Sequence, residues 1–283
     1  MKTTCSMLAG VILFYGIAFG SDRTPVTPED FAVYADECYA DKGLALVQRK
    51  EAMDKIVAAA DKFGDNYGIK WRAAQAIYVY ADSLYYGFQM NNYGKALSKK
   101  DITTVDDVID YSQDLDSEQS KTLLELGTLG RKYADRAVEL NPQGVEGHYY
   151  DAMSISIYAF GKSIVKALLE GLGPKYEEHL DAALKINKDY LDGSIFIAYG
   201  RYWYKLPWPK RSITKSFKYL EPGLAYNSQN IITLDFLGDS YYKDGQKQEA
   251  KKCWEGVLSS DKKTYRSENT KKLVEAKLKF FGH

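Results

Sequence analysis

The chain has 283 residues, of which 45% are hydrophobic and 27% are charged, so it has the composition of a folded protein rather than a disordered one. Lysine plus arginine equals aspartate plus glutamate at 38 each, and the formal net charge is zero. This balance gives no electrostatic basis for binding nucleic acid or an anionic membrane surface, and we expect no nucleic-acid partner.

The first twenty residues have the pattern of a secretory signal peptide. Lys2 is the only charged residue before an apolar run over residues 7–19, and Ala18 and Gly20 supply the small residues that precede a cleavage site. A run of 13 residues is too short to span a bilayer. The sequence predicts cleavage after Gly20 and a periplasmic or otherwise extracytoplasmic protein, with an uncleaved N-terminal anchor as the alternative.

Helix signals begin directly after this segment. Thr27 is suited to cap a helix that starts at Pro28 and runs to about Asp41. A second helix should end before Gly64, and a third is predicted over residues 71–86 from apolar residues at helical spacing.

The stretch from Phe88 to Leu115 is polar and acidic, which predicts an insertion with at most a short helix after Thr104. A long helix should then run from Ser117 until Pro142 stops it.

Three further helices are predicted from the next part of the chain. The first covers residues 145–160, an extra amphipathic helix lies within 161–173, and the partner of the first covers 174–186. The side chains expected to face inward on the first of them are His148, Tyr149, Ala152 and Ile155.

The clearest repeat signature lies between residues 190 and 258. Leu234-x2-Leu237-Gly238-x2-Tyr241 and Ala250-x3-Trp254 follow the tetratricopeptide pattern, in which small residues allow two helices to cross closely. An earlier copy begins at Tyr199-Gly200-x2-Trp203, and a lengthened inner turn over Leu206 to Pro209 accounts for its longer period.

These elements predict an all-α fold in one domain over residues 21–283, namely a TPR-like helical-repeat solenoid of about five helix pairs with inserted helices. The clearest repeats are 117–186, 189–228 and 230–260, and a basic helix within 265–281 should cap the solenoid, with its lysines outward.

No catalytic constellation is recognisable from spacing. The histidines, His148, His179 and His283, lie far apart and form no metal-ligand pair, so each is expected to be structural or solvated. Gly161-Lys162-Ser163 resembles the end of a P-loop, but Ser156 stands where the first glycine belongs. We therefore expect neither an enzyme nor a cofactor nor a metal. Cys38 and Cys253 are expected as unpaired thiols, although a disulfide between them stays open.

Aromatic residues are unusually frequent, with 24 tyrosines, 11 phenylalanines and 4 tryptophans. Tyrosine and tryptophan combine apolar area with a polar tip, which suits either the interhelix core or a surface that holds an amphipathic ligand or peptide. In the pairs Tyr85-Tyr86 and Tyr149-Tyr150, at least one ring should face a groove, a neighbouring repeat or solvent. The candidate residues for binding a ligand or partner are Tyr149, Tyr202, Trp203 and Trp208, although core packing is favoured for Trp203.

Three stretches, residues 133–142, 179–184 and 200–209, resemble the T component of TRAP-type transporters over roughly residues 41–260. The same stretches are similar to the eukaryotic regulator-of-microtubule-dynamics family. The first resemblance implies a solenoid with a groove or pore for a hydrophobic ligand, association with a TRAP-type substrate-binding protein, and sometimes homo-oligomers. The chain departs from that family because no lipoprotein cysteine follows Leu8-Ala9-Gly10.

We therefore expect a non-catalytic exported protein that binds a protein partner or an amphipathic ligand in an aromatic-lined groove, as an accessory component of a TRAP-type transport system. The alternative is an envelope assembly or structural scaffold that uses its TPR-like repeats only for protein–protein interaction.

Overall fold

The computed structural model describes residues 25–40, 44–99, 101–111, 115–261 and 266–281. Within these ranges all regular secondary structure is helical, so the prediction of an all-α fold is confirmed. The predicted signal peptide and His283 lie outside the described residues.

The described part of the chain contains thirteen helices. In order they are α1 (Pro28–Ala40), α2 (Leu46–Lys62), α3 (Tyr67–Ser98), α4 (Val105–Tyr111), α5 (Ser117–Leu140), α6 (Val145–Lys162), α7 (Ile164–Leu169), α8 (Leu172–Ile186), α9 (Ser194–Lys205), α10 (Ile213–Tyr226), α11 (Ile231–Lys243), α12 (Lys247–Ser259) and α13 (Ser267–Phe280). None of these helices is both long and apolar enough to cross a membrane.

The first helix starts where the capping residues predict it. The Thr27 hydroxyl accepts a hydrogen bond from the Asp30 amide at 3.1 Å, and the Asp30 carboxylate accepts one from the Thr27 amide at 2.9 Å. This reciprocal pair satisfies two amides that have no partner inside the helix, and so fixes the start of α1.

Helix α3 is longer than predicted. It continues past the predicted end at residue 86 and reaches Ser98, so residues 88–98 of the predicted insertion are helix. The polar composition of residues 88–98 is compatible with a helix because only one face is buried, where Ala96 packs with Val108 of α4 and Ala276 of α13. The short helix predicted after Thr104 is present as α4.

Helix α7 is also present, inside the range predicted for an extra amphipathic helix. Not all of its apolar side chains are covered, because Leu169 is 83% exposed and Val165 is exposed as well. The buried side is formed by Ala167, with Ile164 and Leu168 beside it.

The predicted close helix crossings are found where the small residues lie. A Cβ atom at Gly238 would overlap the ring of Trp254, which is fully buried on α12, and Ala250 is fully buried in the same cluster. At Gly200 a Cβ would overlap the Leu220 side chain of α10. Glycine is therefore needed at both crossings because the facing side chain occupies the space a larger residue would fill.

The last helix packs against its neighbours in sequence and against two helices from the first half of the chain. Helix α13 contacts α11 and α12, and it also contacts α3 and α4. Arg266, just before α13, pairs with Asp82 of α3 across 184 residues of sequence. In an open stack each repeat touches only its neighbours, whereas here the final helix returns to the third and the helices enclose a space.

Candidate functional site

The enclosed space is a cavity of about 550 Å³, lined mainly by α3, α6, α9 and α11, with further residues from α1, α2, α4, α7, α8 and α13. Pockets that hold small molecules typically have volumes of about 300–1,000 Å³. The cavity is therefore large enough for an organic ligand.

The wall of the cavity is rich in tyrosine. Tyr85 stacks on Phe160 with 4.3 Å between ring centroids, and Tyr176 stacks on Tyr202 at 4.9 Å. Burial raises the pKa of Tyr149 to about 12, so this phenol stays neutral at ordinary pH and acts as a hydrogen-bonding group. The tyrosines that line the cavity are Tyr39, Tyr78, Tyr85, Tyr86, Tyr149, Tyr150, Tyr176 and Tyr202.

Both tyrosine pairs singled out from the sequence point into this space. Tyr85, Tyr86, Tyr149 and Tyr150 are all buried, and all four line the cavity. Adjacent residues on one helix point in directions about 100° apart, so a cavity between helices can be reached by both side chains of a pair. No member of either pair needs to face solvent.

A charged network lies on one side of the cavity. The Lys277 ammonium on α13 contacts the Asp235 carboxylate at 2.6 Å and the Asp239 carboxylate at 2.5 Å, both from α11. Arg201 of α9 contacts the other oxygen of Asp239 at 2.9 Å. The network thus ties three helices together around one wall of the cavity.

Burial and pairing act in opposite directions on these groups. Burial raises the pKa of Asp239, but attraction to Lys277 and Arg201 outweighs it, and the net pKa is lowered. Burial disfavours the charge of Lys277, yet attraction to Asp235 and Asp239 raises its pKa. Asp235 has a raised pKa because its burial outweighs its attraction to Lys277. Asp239, Lys277 and Arg201, whose pKa is also raised, are therefore the firmly ionised members of the network.

A second ion pair in the cavity wall joins the residue before α13 to the middle of α3. The Arg266 guanidinium binds Asp82 through two contacts of 2.6 Å and donates to the Tyr78 hydroxyl at 2.7 Å. It also lies over the ring of Tyr86, with 5.0 Å to the ring centroid. This bidentate arrangement fixes the angle at which residue 266 meets α3.

The cavity reaches the surface at the connection between α8 and α9. Leu191 and Asp192 line the cavity and are also exposed. Both adopt a left-handed backbone conformation, with φ of 47° and 53°. This conformation is costly for a bulky residue such as leucine because its Cβ crowds the backbone, so the rim of the cavity carries local backbone strain.

The structure separates the four residues predicted to bind a ligand or partner. Tyr149 and Tyr202 both line the cavity. Trp203 does not line it; its ring lies beneath the Lys215 ammonium at 3.7 Å from the ring centroid. Trp208 lies between α9 and α10 and is 88% exposed, away from the cavity. Binding by any of the four stays a prediction.

The charged residues of the cavity were missed in the sequence. Lys277 was expected to point outward with the other lysines of α13, and that expectation is wrong because its side chain is buried against α11. A usable signal was present in α11, where Asp235 and Asp239 are four residues apart and share a face that is otherwise apolar. Acids on the buried face of a helix require a cation from elsewhere.

Two of the histidines meet in the fold. His148 of α6 and His179 of α8 have their Nδ1 atoms 3.1 Å apart, a contact that their separation of 31 residues in the sequence did not predict. His179 Nε2 lies 3.0 Å from the carboxylate of Asp151, which is fully buried. Burial and then the nearby Asp135 raise the pKa of Asp151 to about 8.

Both cysteines in the described residues are free thiols, as expected, with Cys38 buried and Cys253 partly buried. Burial raises the pKa of each thiol, so neither is activated as a nucleophile.

No protein-family model matches the chain, and no curated protein matches it significantly.

Proposed function

We propose that the protein is a non-catalytic, exported helical-repeat protein that binds an amphipathic small molecule in the tyrosine-lined cavity, as an accessory component of a TRAP-type solute transport system. The observation that carries this proposal is the cavity itself, with a volume of about 550 Å³ and a wall made mostly of apolar and aromatic side chains. Such a wall favours a ligand with a large apolar part.

The polar groups of the wall indicate what the other part of the ligand should be. Asp82 and Asp239 are already bound by Arg266 and Arg201, so the ion pairs leave little net charge for a ligand to neutralise. The phenols and amides that remain can donate and accept hydrogen bonds. An apolar body with a polar end fits this lining better than a highly charged metabolite.

The role in transport rests on the sequence resemblance and on the repeat-like packing at the glycine crossings. Gly238 and Gly200 lie at successive helix crossings, which supports two stacked TPR-like pairs in this part of the chain. The partner we propose is a TRAP-type substrate-binding protein that exchanges the ligand with the cavity.

A purely structural scaffold is the second candidate, and exposed apolar side chains favour it. Leu169 and Trp208 are among the most exposed large apolar residues of the described chain, and exposed apolar residues are common in protein contacts. A scaffold would bind other envelope proteins through such residues and would leave the cavity without a specific ligand.

Native mass spectrometry of protein purified without detergent or organic solvent separates these candidates. The ligand proposal expects a retained molecule of constant mass that is released by organic extraction. Ala198→Phe, which places a ring in the cavity, should abolish retention, whereas Ala225→Phe on the exposed side of α10 should not. Melting curves check that both variants fold. A ligand-free wild type that also takes up no fluorescent fatty acid would contradict the proposal.

A further inference from the structure

A second polar site lies outside the cavity, where α5, α6 and α8 meet. Asp135 comes from α5, His148 and Asp151 from α6, and His179 from α8. The nearest ligand atoms of Asp135, Asp151 and His179 all lie within 4.8 Å of one another. None of these residues lines the cavity, so the cluster is a separate feature of the fold.

The buried carboxylate of Asp151 is not satisfied by the protein. Its side chain is 1% exposed, and neither oxygen has a hydrogen-bond partner in the described structure. Apart from His179, no basic side chain of the described residues lies within 4 Å of it, although Arg131 and Lys175 act on it from further away. A buried carboxylate without a partner is costly, so something that donates a proton or positive charge belongs beside it.

The hydrogen bonds of the two histidines define which nitrogen faces that carboxylate. His148 Nε2 lies 3.0 Å from the Pro142 carbonyl, which can only accept, so Nε2 carries a hydrogen. In the neutral ring His148 Nδ1 is then an acceptor, and His179 Nδ1 must donate to it across 3.1 Å. The remaining nitrogen of neutral His179, Nε2, therefore presents a lone pair to Asp151.

Two electron pairs 3.0 Å apart repel each other unless a proton or a metal ion lies between them. A metal ion at that point would also be within reach of Asp135. In a tetrahedral zinc site, metal–ligand distances of about 2.0–2.2 Å place neighbouring donor atoms roughly 3.3 Å apart. The 3.0 Å separation between His179 Nε2 and Asp151 Oδ2 is close to that distance between neighbouring donor atoms. Asp135 is exposed, so its side chain has room to swing inward and complete a third contact.

We propose that Asp135, Asp151 and His179 form a binding site for a divalent transition metal, with Zn²⁺ as the best-fitting ion and water as its fourth ligand. His148 is a positioning residue in this site, because its hydrogen bonds to Pro142 and His179 orient the His179 ring. Metal-bound histidines usually donate their second ring nitrogen in this way. The metal would pin α5, α6 and α8 together.

The test uses purified protein stripped with EDTA and then freed of EDTA, with Zn²⁺ as the probe in calorimetric titrations. The wild type should bind one Zn²⁺ per chain at this site. His179→Gln and Asp151→Asn should each weaken binding by about 100-fold or more, and His148→Gln by about 10–100-fold. Glu178→Gln removes a carboxylate from the exposed side of α8 beside His179 and should leave the affinity unchanged.

X-ray absorption of the zinc-loaded wild type provides a readout that needs no variant, and it should show imidazole and oxygen ligands only. The proposal is overturned if the folded wild type binds no Zn²⁺, if sulfur is a ligand, or if His179→Gln and Asp151→Asn bind as the wild type does. It is also overturned if Glu178→Gln weakens binding as much as Asp151→Asn, since diffuse negative charge would then explain the affinity.

Discussion

Lys277 supplies the positive charge for two buried aspartates, and replacing it by methionine should destabilise the protein strongly. Methionine fills similar space but leaves Asp235 and Asp239 buried with only Arg201 beside them. Removing one partner of a buried ion pair costs about 3–5 kcal/mol. For a chain of this size that loss corresponds to a fall in melting temperature of roughly 6–20 °C.

Urea unfolding followed by far-UV circular dichroism measures the change in the free energy of unfolding. Lys272→Met, on the exposed side of the same helix, is the matched control and should change that free energy by less than about 0.5 kcal/mol. Asp235→Asn in the Lys277→Met background should restore part of the loss, because it removes the carboxylate that has lost its ion-pair partner, whereas Asp239 still contacts Arg201. Equal stability of the two lysine variants, or no rescue by Asp235→Asn, would refute the buried network.

Three further predictions concern packing, surface and pH. Gly238→Leu should lower the free energy of unfolding in urea by on the order of 1–3 kcal/mol or more, because the leucine Cβ would lie under 3.0 Å from three atoms of the buried Trp254 ring. Gly87→Ala, where the Cβ meets open space, should instead raise that free energy by up to about 1 kcal/mol. Trp208→Ala should change stability by less than about 0.5 kcal/mol and should weaken capture of a partner from envelope extract; an unfolded variant would place this tryptophan in the core. The difference in melting temperature between the wild type and Lys277→Met should shrink as the pH falls below about 4, towards the lowered pKa of Asp239. The reason is that Asp239 stabilises the fold only while it is ionised, and protonation removes its attraction to Lys277. A constant difference down to about pH 2 would contradict this.

These predictions bear on function through the closure of the cavity. Lys277 and Arg266 belong to the C-terminal part of the chain, and both bind acids on helices that line the cavity. Loosening either pair should open the wall before the whole chain unfolds. Ligand retention in Lys277→Met is therefore a sensitive indicator of whether the C-terminal helix closes the cavity.

Most helices could be predicted because their signals are local. Thr27 and Asp30 cap α1 through bonds within four residues, and Pro142 follows the end of α5. Small residues at Gly238 and Gly200 marked the crossings because close packing leaves no alternative to them. The end of α3 was missed because a polar stretch with one buried face looks like a loop when the partner helix is unknown.

The sequence by itself determined an all-helical chain, the places where helices cross closely, and a surplus of aromatic side chains. Only the tertiary structure decided that α13 returns to α3, that Lys277 is buried rather than solvated, and that His148 meets His179. The physical reason is distance along the chain. Caps and helical periodicity act over a few residues, whereas the pairing of Asp82 with Arg266 and the cavity behind it exist only once segments 184 residues apart have packed together.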